Sequence, residues 1–261
     1  MFFTIFFNEM KYWFGKPALY IYAIIFFFIA LMMSGASAGL FDFLTVTTGS
    51  SKIVNSPLGI TGLFGAVSGL LIFLYPSIIG VSVYRDYQSE MHTILYSYPF
   101  TKLEYLLAKF FSGIFIVNLI VLIIAFAISF GFVLPGTNQE IVGPFDIKSY
   151  LDVYFIYILP NMLFMGAIVF GIVTFTRNIS AGFITVLILL ISQRFLVSLF
   201  EDPDKRFLAA ILDPFGDSAI LYYTRYWTVS EQNELYLPIK EVLIYNRLLW
   251  GGIGVLIFGT I

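Results

Sequence analysis

The chain has 261 residues, of which 59% are hydrophobic and only 11% are charged, and its mean hydropathy is +0.92. A soluble globular domain would carry roughly 25% charged residues, so most of this chain must face lipid or other membrane helices. The net charge of −2 is too small to indicate a nucleic-acid partner, and a composition with no cysteine and one histidine, His92, argues against a thiolate or histidine-ligated metal site.

The N-terminal segment, residues 1–17, is patterned as an amphipathic helix. Its large apolar side chains fall on one helical face, opposite Thr4, Asn8 and Lys11. The apolar face comprises Phe2, Phe3, Phe6, Met10, Trp13 and Phe14. A helix of this kind lies along a membrane surface, so we expect an N-terminal interfacial elbow helix.

Five apolar stretches follow that are long enough to cross a bilayer core of roughly 30 Å, which needs about 20 helical residues. They cover residues 18–40, 58–83, 105–134, 151–175 and 181–200. A sixth begins near Leu243, but its residues from Leu248 onward would rise only about 21 Å. We therefore expect an all-α membrane protein, a polytopic bundle of six transmembrane helices whose sixth helix is truncated. The whole chain, residues 1–261, is expected to form a single membrane domain.

Several residues inside these spans have local consequences. Pro76 and Pro160 should kink the second and fourth spans, because proline removes a backbone hydrogen bond. Gly65 and Gly69 are spaced to let a neighbouring helix pack closely.

Polar residues within the spans are few. Arg194 is expected to reach the membrane interface or to pair with Glu201 or Asp202, with a substrate contact as the alternative. Asn118 and Asn161 are typical of hydrogen bonds between membrane helices, and a role in a transport pathway is the alternative.

The stretch between the second and third spans has a different pattern. Met91, Ile94, Leu95 and Tyr98 fall at i, i+3, i+4 and i+7, on one face of a two-turn helix that Pro99 ends. Thr101 and Glu104 then form a capping box before the third span. A short amphipathic helix of this kind either rests on the lipid headgroups or docks into a groove on a soluble partner.

Residues 84–110, YRDYQSEMHTILYSYPFTKLEYLLAKF, resemble the cytoplasmic loop of the ABC-2 type transporter permeases. In those proteins an acidic residue, a short helix, a Ser/Thr-x-Pro turn and a basic residue before the third helix recur in that order. Here they correspond to Glu90, residues 91–98, residues 97–99 and Lys109. The resemblance is nearest to bacterial permeases that can be fused to a downstream zinc aminopeptidase-like domain. No HExxH motif occurs in this chain.

The resemblance implies how the protein would work. Residues 84–104 would be a cytoplasmic coupling loop, and its coupling helix would dock on an ABC ATPase subunit. The contacting residues would be Glu90, Met91, Ile94, Leu95 and Tyr98. The N-terminus would be cytoplasmic, the location the bacterial inner membrane, and a second permease unit would complete the pathway. The chain has no GxxxxGK[ST] loop, so ATP and Mg would be held by the partner ATPase and this chain would not be an enzyme.

Residues 201–246 would then be extracytoplasmic, although the lysine and arginine bias of the loops does not by itself fix the orientation. Their aromatic cluster is typical of a membrane interface, and it consists of Tyr222, Tyr223, Tyr226 and Trp227. Anchoring to the outer leaflet is the favoured role. Recognition of cargo by Arg225 and Trp227 is the alternative.

Three other functions compete with an ATP-driven permease. An ion-driven transporter usually needs ionisable residues deep in the membrane, and we find no Asp, Glu or Lys near the midpoint of a predicted span. An intramembrane enzyme would need a serine and histidine pair or paired aspartates there, which these spans do not supply. A passive scaffold that anchors a partner or a downstream peptidase domain fits every feature above.

Overall fold

A computed structural model describes residues 1–41, 53–90 and 101–260. Within these ranges all regular secondary structure is helical. The α-helices are α1 (Phe2–Phe14), α2 (Pro17–Ser37), α3 (Pro57–Leu71), α4 (Val81–Gln88), α5 (Lys102–Gly131), α6 (Ile147–Asp152), α7 (Leu159–Thr176), α8 (Ile179–Phe200), α9 (Arg206–Leu212), α10 (Asp217–Thr224), α11 (Val229–Glu234) and α12 (Glu241–Gly259). Two π-helical segments, Tyr75–Gly80 and Val153–Ile158, lie before α4 and α7.

Among the described residues, five helical segments are long and apolar enough to cross a membrane, and six if the bent pair α3 and α4 is one span. The five are Pro17–Ser37, Lys102–Gly131, Ile147–Thr176, Ile179–Phe200 and Glu241–Gly259. This agrees with the six expected spans of a multi-pass membrane protein.

The last helix is longer than its apolar run predicted. α12 has 19 residues and would rise about 28 Å, close to the thickness of a bilayer core. It is longer than expected because it begins at Glu241, seven residues before the apolar run from Leu248. In its second turn Asn246 is fully buried and donates to the Ala210 and Ile211 carbonyl oxygens of α9, a contact that apolarity alone does not reveal.

Local sequence signals account for the helix starts. The Ser56 side chain accepts a hydrogen bond from the Gly59 amide and caps α3, whose first residue is Pro57. Thr101 and Glu104 form the predicted capping box of α5, with both reciprocal hydrogen bonds at 3.2 Å. Asn178 caps α8 in the same way as Ser56 caps α3.

The prolines act as predicted in the second span. Pro76 lies in the first turn of the π-helical segment Tyr75–Gly80, and the helix axis bends by 46° at the break between Leu71 and Tyr75, just before this proline. In the fourth span Pro160 stands in the first turn of α7, directly after the π-helical segment Val153–Ile158. The irregular backbone bonding therefore precedes this proline.

The core of the bundle lies around α5 and α7. α2 and α1 pack on α5, while α12, α8 and the Tyr75–Gly80 segment pack on α7. By contrast, only 17% of the apolar window of α8 is buried, against 72% in the Ile147–Thr176 span. α8 therefore leaves most of its apolar surface available to lipid or to another protein.

The ends of two predicted segments are helical. Residues 84–88 continue α4 and residues 102–104 are the first turn of α5, so both ends of the predicted 84–104 segment belong to helices. Residues 241–246 belong to α12, and the rest of the 201–246 segment contains the short helices α9, α10 and α11. The predicted coupling helix, Met91–Tyr98, lies outside the described residues.

Candidate functional site

Four charged side chains meet where α1, α4 and α5 pack together. Arg85 Nη2 lies 2.6 Å from Glu9 Oε1, and Lys109 Nζ lies 2.9 Å from the same oxygen. Lys109 Nζ also contacts Asp86 Oδ2. Lys109 is only 3% exposed and Glu9 6%, so these are buried ion pairs, which are stable only when every charge has a partner. We call Glu9, Arg85, Asp86 and Lys109 the charge cluster.

Neutral groups complete the charge cluster. Lys109 Nζ donates to the Ser82 carbonyl oxygen at 2.6 Å, and Tyr105 Oη donates to Asp86 Oδ2. The Arg85 guanidinium stands over the Tyr12 ring at 3.8 Å from its centroid. The cluster thus connects one face of α1 to the last turns of α4 and the first turns of α5.

The charge cluster lies beside the segment that resembles a coupling loop. α4 ends at Gln88 and α5 begins at Lys102, so both helices that lead into residues 91–100 are held by it. Glu90 is exposed and has a positive φ of 56°, a left-handed conformation that turns the chain at the end of α4. The other four predicted docking residues, Met91, Ile94, Leu95 and Tyr98, lie outside the described residues.

Lys109 is the basic residue that the family resemblance singles out. It lies inside α5, two turns past Lys102 and within the predicted third span, residues 105–134. The charge is accommodated there because two carboxylates from other helices surround it.

A second site is a groove between α3, α8 and α10, with a volume of about 1010 Å³. We call it the glycine groove, because Gly62, Gly65 and Gly69 of α3 line one side. A Cβ atom at Gly62 or Gly69 would meet nothing within 4 Å. A Cβ at Gly65 would lie 3.6 Å from Tyr157 Oη and 3.8 Å from Asp217 Oδ1, which is ordinary van der Waals contact. Gly69 therefore does not form the close helix contact that its spacing with Gly65 predicted, and with Gly62 it leaves the groove open.

The opposite wall of the glycine groove is polar. Gln193 and Arg194 come from α8, Asp217 begins α10, and Arg225 follows α10. Asp217 accepts hydrogen bonds from Tyr157 Oη and, at 2.7 Å, from Gln193 Nε2. Burial, together with the nearby Asp213 carboxylate, raises the pKa of Asp217 to about 6.

A network of buried polar groups supports this wall from behind. Arg247 Nη1 donates to Asn161 Oδ1 at 2.6 Å, and Asn161 Nδ2 donates to the Phe215 carbonyl oxygen at 2.8 Å. Gly216 has a φ of +80°, and a Cβ there would lie 2.7 Å from Arg247 Nη2. The turn that carries Asp217 is thereby fixed to α7 and α12, and only glycine fits it.

The asparagines predicted within the spans form hydrogen bonds between helices. Asn118 of α5 accepts from Tyr154 Oη of the fourth span at 2.7 Å. Asn161 joins α7 to α12 through Arg247. Both asparagines therefore join neighbouring membrane helices through their side-chain oxygens.

Of the three predicted positions Arg194, Arg225 and Trp227, the two arginines lie at the glycine groove and the tryptophan lies outside it. Arg194 and Arg225 are exposed and both line the glycine groove. Within the described ranges Arg194 makes no ion pair with Glu201 or Asp202, and Asp202 instead pairs with Lys205 at 2.9 Å. Trp227 is half-buried outside the groove, and its carbonyl oxygen accepts from Gln232 Nε2 at 2.8 Å.

Sequence reasoning missed most of the buried charges. Glu9 carried a signal, because with Phe2, Phe6 and Trp13 it shares one helical face, and a carboxylate on an apolar face needs a partner. Asp217 and Arg247 carried no such local signal, since their neighbours come from distant parts of the chain.

Compared with family models, curated proteins and solved structures, the chain gave no match. The functional conclusion therefore depends on the charge cluster, the glycine groove and the sequence resemblance.

Proposed function

We propose that this chain is the membrane-spanning permease subunit of an ATP-driven exporter of the ABC-2 type. Separate ATPase subunits, which hold ATP and Mg, would supply the energy. A second permease unit would face this one across the bilayer. The proposed location is the bacterial inner membrane, with the N-terminus in the cytoplasm.

The observation that carries this proposal is the charge cluster. A loop can transmit force from a motor protein only if the helices at its two ends respond together. Here α4 and α5 are tied to each other by the contact of Asp86 with Lys109, and both are tied to α1 through Glu9. A movement of residues 91–100 would thus displace three helices as a unit.

The glycine groove supports a transport role. It is open on one side, and the adjacent α8 is the least buried of the five apolar helical segments in the described residues. A second unit placed against α8 would turn the open groove into an enclosed pathway. A passive scaffold would have no need for such a groove.

The first test is capture of an ATPase. The protein would be purified in gentle detergent from its native membrane after cross-linking, and the co-purifying chains identified by mass spectrometry. We expect a subunit with a phosphate-binding loop. Recovery without any such subunit would contradict the proposal and would favour a scaffold or an ion-driven transporter.

The second test locates the docking surface. Replacing Ile94 and Leu95 by Asp places two charges on the apolar face of the predicted helix, so the ATPase should no longer be captured. The matched control replaces His92 and Thr93 by Asp on the opposite face and should retain capture. Equal capture by both variants would contradict the assigned docking face.

A further inference from the structure

The glycine groove combines an apolar floor with two arginines, Arg194 and Arg225, that have no ion-pair partner among the described residues. Its apolar lining includes Leu58, Ala66 and Leu70 of α3, and from Leu58 to Leu70 the floor extends about 18 Å. Leu190 and Ile191 of α8 face the same space. At about 1010 Å³ the groove is at the upper end of the usual range for ligand sites, about 300–1,000 Å³.

The charges in the groove do not balance. Arg194 and Arg225 line it, and neither forms an ion pair with any carboxylate in the described parts of the chain. Arg225 lies over the Tyr226 ring, 5.0 Å from its centroid, which leaves its guanidinium hydrogens available to a ligand. Asp217 is the one carboxylate in the described lining, and its two oxygens are already engaged by Tyr157 and Gln193.

The position of the arginines fits a lipid-like headgroup. Arg225 directly precedes Tyr226 and Trp227 in an aromatic cluster typical of the membrane–water interface. Arg194 lies in the last third of α8, toward the same segment. Guanidinium groups near the membrane–water interface can bind the phosphate or carboxylate headgroup of a lipid-like molecule with two parallel hydrogen bonds.

We propose that the glycine groove binds an anionic amphiphile, with the acidic headgroup on Arg194 and Arg225 and the apolar chain along the glycine face of α3. This inference rests on the proposed function for its meaning as the transported substrate. Binding itself requires no ATPase and is measured on this chain alone.

The experiment uses a probe inside the groove. The chain has no cysteine, so Gly69→Cys introduces a single thiol at a position where an added Cβ meets nothing within 4 Å. The labelled protein would be placed in nanodiscs of neutral phosphatidylcholine. The ligand is dodecyl phosphate carrying a nitroxide, which quenches a fluorophore on the thiol. Gly252→Cys on α12 is the matched control, since its Cβ also meets nothing within 4 Å and it does not line the groove.

We expect saturable quenching at position 69 and only weak, non-saturable quenching at position 252. Unlabelled dodecyl phosphate should displace the probe, whereas dodecyl maltoside, dodecyltrimethylammonium and inorganic phosphate should not. Quenching that is equal at the two positions would overturn the proposal, because it would report dissolution in the bilayer. If dodecyl maltoside displaced the probe as effectively as dodecyl phosphate, the requirement for an acidic headgroup would be overturned. If inorganic phosphate displaced it, the requirement for an apolar chain would be overturned.

A second set of measurements tests the headgroup site with variants that remove one positive charge each. Arg194→Gln and Arg225→Gln should each weaken binding about tenfold, because each removes a hydrogen bond to a charged group. Lys205→Gln removes a cation from the same segment but outside the groove lining, and it should bind like the native protein. Unchanged affinity in both arginine variants would overturn the assignment of the headgroup site. Thermal unfolding midpoints would verify that all three variants fold.

The outcomes separate this inference from the proposed function. Selective binding without any captured ATPase would retain the ligand class and reject the permease. Capture of an ATPase without selective binding would retain the permease and reject the ligand class.

Discussion

Lys109→Met tests whether the charge cluster stabilises the fold. The substitution keeps an unbranched apolar stem and removes the ammonium, which contacts Glu9, Asp86 and the Ser82 carbonyl oxygen. Removing one partner of a buried ion pair costs about 3–5 kcal/mol, because it leaves an uncompensated charge. Arg85 still holds Glu9 at 2.6 Å, so we expect a loss at the lower end, about 3 kcal/mol.

The loss would be measured as a shift in reversible unfolding by SDS in mixed micelles, followed by tryptophan fluorescence. Lys102→Met is the control, since this lysine is exposed at the start of the same helix and should change stability by less than about 0.5 kcal/mol. A Lys109→Met loss below about 1 kcal/mol, or equal to that of the control, would refute the reasoning.

A double-mutant cycle isolates the pair itself. Glu9→Gln and Lys109→Met together should cost less than the sum of the single losses, by about 0.5–3 kcal/mol, because the two side chains interact. Additive losses would show that the pair does not interact directly and that each substitution acts through its other contacts.

Three further predictions concern separate parts of the chain. Because the pKa of Asp217 is raised to about 6, the folded state holds this proton up to about pH 6, whereas the unfolded state releases it near pH 3.8. The free energy of unfolding should therefore fall by on the order of 3 kcal/mol as pH rises through this range. Unfolding of Asp217→Asn across the same pH series should lack that fall. Gly131→Ala should lower the free energy of unfolding by about 1–3 kcal/mol, because the new Cβ would collide with the Ser34 side chain. Gly252→Ala, at an exposed position where the Cβ meets nothing within 4 Å, should raise the free energy of unfolding by up to about 1 kcal/mol. Thr101→Ala should cost about 1 kcal/mol in the same assay, because it removes the N-cap of α5.

Features determined by neighbouring residues were predictable. Within the described residues the apolar runs predicted where the membrane-length helices lie, although α12 is longer than its run indicated. The Thr101 and Glu104 pattern gave the start of α5 within one residue, and Pro76 marked the bend. Each of these signals is local, since it depends on residues within a few positions of one another.

The sites were harder to predict because their parts are distant in sequence. Arg85 and Glu9 are separated by 76 residues, and Arg247 and Asn161 by 86. A sequence shows that a buried charge will need a partner, but it does not show which helix supplies that partner. The same limit explains why a close helix contact was predicted at Gly69, where an added Cβ would meet nothing within 4 Å and the groove is open.

The charge cluster also allows stability to be separated from mechanical coupling. A buried ion-pair network replaced as a whole by apolar residues is often neutral or about 1–4 kcal/mol more stable. A variant combining Glu9→Met, Arg85→Met, Asp86→Leu and Lys109→Met, with Tyr105→Phe so that its hydroxyl loses no partner, should therefore unfold no more easily than the native protein. Apolar side chains slide past one another more readily than paired charges, so under the proposed function this variant should no longer show the change in protease resistance that ATP binding to the captured ATPase produces. A variant that is stable and still responds to ATP would show that the three helices move together without the cluster.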